Sequence, residues 1–286
     1  MQLFNFHTHT LYCDGSSEPE AYIKQAIAKG FHSLGFSGHA PIPFENEFAI
    51  KEENLLLYCD TILKLKDKYK DYINIFLALE IDYIPIFTKN FEDVSKICNL
   101  NYTIGSVHLV VNQANKQLWF IDGGNIATYD KGLTEVFNGD IKIAVKAYYH
   151  QINQMIVTQK PDIIGHLDKI KMNNKNRFFT QNEKWYKDLV NETIGIIKEQ
   201  NAIIEVNTRG LYKKRSDELF PSISILKELH CSKIPVTISA DAHKPEELDL
   251  LFYETANILK EIGFKTITIF DGKKWIEEEI TIKSNN

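Results

Sequence analysis

The stretch Asn5-Phe6-His7-Thr8-His9-Thr10-Leu11-Tyr12-Cys13-Asp14-Gly15 decides how this chain is read. It continues the β-prone run Gln2-Leu3-Phe4-Asn5-Phe6. Side chains on a strand alternate between faces, so His7 and His9 point the same way. Two imidazoles side by side at a strand end make half of a metal site. Asp14, on the loop that follows, can turn back toward the same pocket.

The pattern recurs outward from there. His39 ends Leu34-Gly35-Phe36-Ser37-Gly38-His39, and Glu80 ends Ile75-Phe76-Leu77-Ala78-Leu79-Glu80. His108 ends Tyr102-Thr103-Ile104-Gly105-Ser106-Val107-His108, and His166 ends Asp162-Ile163-Ile164-Gly165-His166. Asp241 and His243 end the run that begins at Pro235. Six of the nine histidines lie at such ends, so the strand ends are expected to meet around one polynuclear metal centre. Imidazole and carboxylate donors without thiolate suit Zn, Fe or Mn, and do not suit Cu(I) or an iron–sulfur cluster. His32, His150 and His230 fall at no strand end and read as surface or packing residues. Cys13 reads as a small buried thiol, and Trp119, Trp185 and Trp275 as core or rim.

A chain of 286 residues suits one large domain with a substantial core. The net charge is −5, and the 33 basic residues, three of them arginine, are scattered among acids. That balance offers no electrostatic footprint for nucleic acid or a membrane surface. Cys13, Cys59, Cys98 and Cys231 form no Cys-x-x-Cys pair, which excludes a disulfide scaffold or zinc finger as the organising feature. No apolar run reaches about 18 residues and no basic-then-apolar leader opens the chain, so a cytoplasmic setting is expected.

Ser17 with Glu20 reads as a capping box, and Pro19 suits the first turn of a helix running to Ala28 and stopped at Gly30. A strand at 33–36 completes a βαβ unit. Residues 40–47, with Pro41 and Pro43, form a loop able to overhang the site. A helix is expected over 52–69, with Leu55, Leu56, Ile62, Leu63 and Leu65 as its apolar stripe, and a short one over 91–98. Residues 110–140 read as an insertion at the site face, a hairpin and a lid. Helices over 140–158, 182–200, 221–229 and 245–262 then alternate with strands at 202–207, 235–239 and 266–270. A polar tail is expected to fray after Ile280. Seven strands alternating with helices, each feeding a polar residue at its C-terminal end, imply an α/β parallel barrel with its site at that face. A doubly wound open sheet could not bring ligands from so many strands to one crevice.

The set His7-x-His9, Asp14, His39, Glu80, His108, His166 and Asp241-x-His243 resembles the polymerase-and-histidinol-phosphatase (PHP) superfamily, over residues 3 to about 270. Gly105-Ser106-Val107-His108, Gly139-Asp140-Ile141-Lys142 with Tyr148-Tyr149, and Gly165-His166-Leu167-Asp168 resemble its histidinol-phosphatase branch. The resemblance implies a distorted (β/α)7 barrel, a single domain over residues 1–286, and three divalent ions. His7, His9, Glu80 and Asp241 would hold the first. Glu80, as a bridge, with His108 and His166 would hold the second, and Asp14, His39 and His243 the third.

It further implies hydrolysis of a phosphomonoester, with Glu80, Asp241 and His243 in catalytic roles. The implied substrate is L-histidinol phosphate, cleaved to L-histidinol and phosphate in L-histidine biosynthesis. Two alternatives stay open: a PHP phosphoesterase for another small phosphomonoester or a nucleotide, and a non-catalytic PHP module partnering a DNA polymerase. Phosphate also calls for a protein cation. Arg209 follows the strand at 202–207, and Lys171 lies on the loop after His166, where this branch often carries a basic residue. Ser106 is a further candidate for substrate contact. Arg215 would join if its loop folds inward, whereas Arg177 reads as a solvated charge. Glu205 is expected to orient a histidine or a basic residue, and Asp168 to orient His166 or Lys171.

Overall fold

The run Ile75-Phe76-Leu77-Ala78-Leu79 is apolar without alternation, and every one of its residues is buried. That is the mark of a strand covered on both faces in a parallel sheet. In the computed structural model, which describes residues 2–281, it lies in the longest strand of a barrel. The strands are β1 (Leu3–Asn5), β2 (Phe31–Phe36), β3 (Asn74–Asp82), β4 (Tyr102–Ser106), β5 (Leu109–Val111), β6 (Leu118–Phe120), β7 (Ile163–Ile164), β8 (Ile203–Asn207), β9 (Val236–Ser239), β10 (Thr266–Phe270) and β11 (Trp275–Glu279). Seven of them form one parallel sheet in the order β1-β2-β3-β4-β7-β8-β9. Its two ends meet. Thr8 pairs in parallel with Ala242, His9 N–H donates to the Ala242 carbonyl at 2.8 Å, and Ala242 N–H donates to the His7 carbonyl at 3.0 Å. This closure rules out the open doubly wound sheet.

The helices are α1 (Pro19–Ala28), α2 (Leu55–Tyr69), α3 (Phe91–Cys98), α4 (Ile126–Phe137), α5 (Ile141–Gln159), α6 (Lys171–Asn174), α7 (Lys184–Gln200), α8 (Arg209–Tyr212), α9 (Ile223–Cys231) and α10 (Phe252–Ile262). The end of the barrel opposite the site is filled by aromatic rings. Phe6, Phe76 and Tyr102 pack there against Phe270 and Trp275 of the antiparallel β10–β11 hairpin.

Four expectations are corrected. Ser17 and Glu20 form no capping box: Glu18 is the N-cap of α1 without a side-chain bond, and Glu20 instead accepts from Lys68 and Tyr69 at 2.6 Å each. The buried face of α2 is Leu55, Tyr58, Cys59 and Ile62, whereas Leu56 is 62 % exposed and Leu63 39 %. Residues 110–140 contain the expected hairpin, β5–β6, but go on into a regular helix, α4. The segment after Asp271-Gly272 does not run straight into a tail but pairs as β11. Any fraying of the last five residues lies outside the described residues.

Candidate metal centre

Strand alternation assembles the floor of the site. Glu80 and Asp82, two apart at the end of β3, share a face. Beyond β4 the chain delivers His108, beyond β7 His166, and beyond β9 Asp241 and His243. His166 (φ 22°) and Asp241 (φ 49°) both stand in the left-handed region that non-glycine residues avoid, a local cost of the kind that collects at functional sites. The His9–Asp14 loop is drawn tight by Cys13 N–H and Gly15 N–H, both donating to the Thr10 carbonyl at 2.9 and 3.0 Å. A Cβ on Gly15 would lie 2.4 Å from Thr10 N, so only glycine closes this turn and brings Asp14 back.

Glu80 is the hub. Its Oε2 lies 3.1 Å from His7 Nε2, 3.5 Å from His9 Nε2 and 3.1 Å from His39 Nδ1. Its Oε1 lies 3.0 Å from His166 Nε2 and 3.8 Å from His108 Nε2, and accepts from Ser106 Oγ at 2.6 Å. The two carboxylate oxygens thus face two different sets of imidazoles. Asp241 Oδ1 is 3.3 Å from His9 Nε2, and Asp14 Oδ2 is 3.1 Å from His243 Nε2.

The backs of three rings are held. His7 Nδ1 meets Glu205 Oε1 at 2.5 Å, His108 Nδ1 meets both oxygens of Asp82 at 2.9 and 3.1 Å, and His243 Nδ1 meets the Asp241 carbonyl at 3.0 Å. Such partners fix the tautomer and turn Nε2 inward, the arrangement that metal-ligating histidines use. Asn207 Nδ2 ties Glu205 to Asp241 at 3.1 Å each. Electrostatics follow the packing. Burial lowers His7, yet Glu205, Glu80 and Asp241 outweigh it and hold the imidazolium well above its ordinary range. Burial, with His243 and His39 beside it, lowers His9 to about 3. His108 rises to about 9 because Asp82 and Glu80 overcome its burial. Glu80 is held well below the carboxylate range, because His7, His39 and His108 outweigh its burial.

Among the described residues, three groups have ligand atoms within 4.8 Å of one another: His9, Asp14, His39 and His243; His7, His9 and Asp241; His39, Glu80 and His108. These groups differ in membership from the three sets that the resemblance implied. His9 and His39 each fall in two groups, and His166 joins through Glu80 and through His108, 3.1 Å away between Nε2 atoms. Buried His7 Nε2, His9 Nε2 and His39 Nδ1 have no hydrogen-bond partner among the described residues. Such orphans crowded on one carboxylate are costly unless a cation satisfies them. The residues therefore fit metal ions.

Comparison with known proteins agrees with this geometry. The PHP domain family matches residues 5–209. The chain belongs to the PHP domain family. It is 27 % identical to the histidinol-phosphatase of Bacillus subtilis over 263 residues, which cover 85 % of this chain and 94 % of the relative. Two crystal structures, each 20 % identical, share the fold. One is a Listeria monocytogenes protein named for histidinol phosphatase activity, with TM-score 0.75 over 88 % of this chain and 99 % of that one. The other is the histidinol phosphate phosphatase of Lactococcus lactis complexed with Zn, L-histidinol and phosphate, with TM-score 0.68 over 96 % and 99 %.

Above the cluster this PHP domain opens a cavity of about 700 Å³. Lys169, Arg209, Lys213, Arg215 and Lys244 line part of it, and Phe44, Phe48, Phe120, Glu45 and Glu47 another part. The expected substrate-binding residues are placed unequally. Arg209 lines the cavity but is held by Glu247 at 3.3 Å, by the Asp241 carbonyl at 2.9 Å and by Tyr212 at 3.1 Å, so its carboxylate is Glu247 and not Glu205. Lys171 does not line this cavity. It pairs with Asp168 at 2.8 Å and donates to the Leu219 carbonyl at 3.1 Å. Ser106 is fully buried beneath Glu80. Arg215 does line the cavity, whereas Arg177 pairs with Asp130 at 2.7 Å.

Sequence reasoning missed Asp82, Asn207, Lys169, Asp122 and Glu247. The spacing of two between Glu80 and Asp82 on one strand was a usable signal for the first. No helix among the described residues is long and apolar enough to cross a membrane.

Proposed function

We propose that this chain is a metal-dependent phosphomonoester hydrolase that converts L-histidinol phosphate and water to L-histidinol and phosphate, in a cytoplasmic biosynthetic setting. The observation that carries the reading is Glu80, set with its two oxygens toward two groups of buried imidazoles on the floor of a cavity. Relatives named for this activity support it. So does the Lactococcus protein of the same fold, whose crystal structure holds Zn, L-histidinol and phosphate. In this reading residues 1–286 form one domain, and residues 110–140 cover the site.

His7, His9, Glu80 and Asp241 would hold one divalent ion, Glu80, His108 and His166 a second, and Asp14, His39 and His243 a third, of the Zn, Fe or Mn type. When bound, such ions supply Lewis acidity toward phosphoryl oxygens and make water nucleophilic near neutral pH. The protein's own part is orientation and charge. Glu205, Asp82 and the Asp241 carbonyl keep three imidazoles turned inward. Arg209, with Lys213, Arg215 and Lys244, gives the phosphate a cationic wall.

The aromatic lining of the cavity suits the alcohol. Phe48 and Phe120 stack at 5.7 Å and 13°, and Phe48 meets the His39 ring edge-on at 5.3 Å. Flat apolar faces accept an imidazole, and Glu45 and Glu47 bring negative charge toward an ammonium. The test is kcat/KM on metal-replete protein for L-histidinol phosphate against a panel of sugar phosphates, amino-alcohol phosphates, mononucleotides and 4-nitrophenyl phosphate. Histidinol phosphate is expected to lead by roughly tenfold or more, as loss of one or two pocket contacts implies. A nucleotide or sugar phosphate that matches or exceeds it would overturn the assignment.

A further inference from the structure

Lys169 is a cavity cation that the sequence pattern and the proposed ligand sets do not employ. It is 4 % exposed, yet it lines the reaction cavity. The turn after β7 puts it there. His166 takes the left-handed conformation, and Lys169 N–H closes back on the His166 carbonyl at 2.9 Å. Two residues further on, Lys171 leaves the turn in another direction, to Asp168 and Glu218. Within one turn, therefore, the lysine at the position picked from sequence is spent on structure and its neighbour reaches the site.

Among the described residues the ammonium has one carboxylate partner, Asp122 Oδ2 at 3.1 Å, and it lies 5.9 Å from the centre of the Phe220 ring. An ammonium has three donors, and Asp122 takes one. Burial works against the charge, but Asp122, Asp241 and Glu80 outweigh it, and Lys169 adds to burial in lowering His166. The ammonium lines the same cavity as Glu80 and Asp241. Asp122 is supplied by the segment that follows β6, and its Oδ1 has no hydrogen-bond partner among the described residues, with Arg215 4.0 Å away. A buried lysine at a cavity floor, held on one side by a single carboxylate, is placed as a point charge for an incoming anion.

Resting on the phosphomonoesterase reading, we propose that Lys169 is a catalytic residue whose ammonium contacts a non-bridging oxygen of the phosphoryl group, and that Asp122 is the positioning residue that aims it. Lys169→Met and Lys169→Gln are compared with wild type on metal-replete protein, with metal content and circular dichroism recorded for each. Both variants are expected to keep their metal and their fold. Both should bind inorganic phosphate at least tenfold more weakly by calorimetry, and should lose about a hundredfold in kcat/KM, the scale of one removed transition-state charge contact. The loss should be equal for L-histidinol phosphate and 4-nitrophenyl phosphate, because the phosphoryl group is common to both. Lys169→Arg should recover part of the loss. Asp122→Asn should weaken phosphate binding, and adding it to Lys169→Met should cost little more, since the two act as one unit.

Unchanged phosphate affinity in both Lys169 variants overturns the proposal. So does a loss confined to the alkyl ester, which would place the lysine at the leaving oxygen. A wild-type protein that cleaves 4-nitrophenyl phosphate but not histidinol phosphate would sink the substrate assignment alone, and the Lys169 comparison would then be read on the former ester and on phosphate.

Discussion

At the scale of single residues, the site is organised by what each carboxylate touches. Glu80 faces His7, His9 and His39 with one oxygen and His108 and His166 with the other, whereas the carboxylates that the His243 ring meets among the described residues are Asp14 and Asp241. Removing a charge that serves two groups should cost more than removing a ring that serves one. Glu80→Gln is expected to lower kcat by about a hundredfold or more and to reduce bound metal, with His243→Ala losing about tenfold, on the scale at which altered metal shells act. Steady-state rates with metal analysis on the same preparations check the order. Near wild-type turnover in metal-replete Glu80→Gln would remove the bridging role. The ring partners behave consistently with this hierarchy. Glu205 and Asp82 are buried acids that hold His7 and His108 from behind.

At the scale of elements, the barrel shows where pattern reading succeeds and where packing overrides it. The face of α2 that turns inward follows Leu55, Tyr58, Cys59 and Ile62, not the richest run of leucines. Tyr58 is drawn in because its hydroxyl accepts from Gly38 N–H and donates to the Ala78 carbonyl, each at 3.2 Å. Ile62→Ala should therefore cost about 2–4 kcal/mol, as core truncations do, while Leu63→Ala should stay within about 0.5 kcal/mol. Urea unfolding of the two variants separates them, and equal losses would restore the leucine stripe.

The metal-ligand candidates were legible because a polar residue that closes an apolar run is costly to bury unless it binds something. Helix α4 was not, since Gly132 sits in its middle and weakens the helical signal. Yet a Cβ there would lie 2.3 Å from Trp119, so the ring requires the glycine. Strand β11 was hidden by Glu277-Glu278-Glu279, which reads as tail until β10 pairs with it. Lys169 was missed because a two-residue strand followed by a tight turn leaves no periodicity from which to infer direction.

At the scale of the whole molecule, the closed barrel and the site are separable in origin. The core runs continuously from Phe4 to Ile280 through the strands, the outer helices and the aromatic plug, and contains none of the metal-ligand candidates. Metal-free protein is expected to keep its secondary structure and to lose only the linkage stability that bound ions add. Function, in contrast, is expected to depend on several ions at once, because His9 and His39 each fall in two ligand groups and Glu80 faces two sets of imidazoles. The most direct test is the rate of phosphate release from L-histidinol phosphate as metal-free protein is reloaded with Zn or Mn and bound metal is counted per chain. No turnover without metal, with activity rising until more than one ion is bound per chain, is the predicted result. Turnover that survives metal removal, or that reaches its maximum with a single ion per chain, would contradict the polynuclear phosphatase centre.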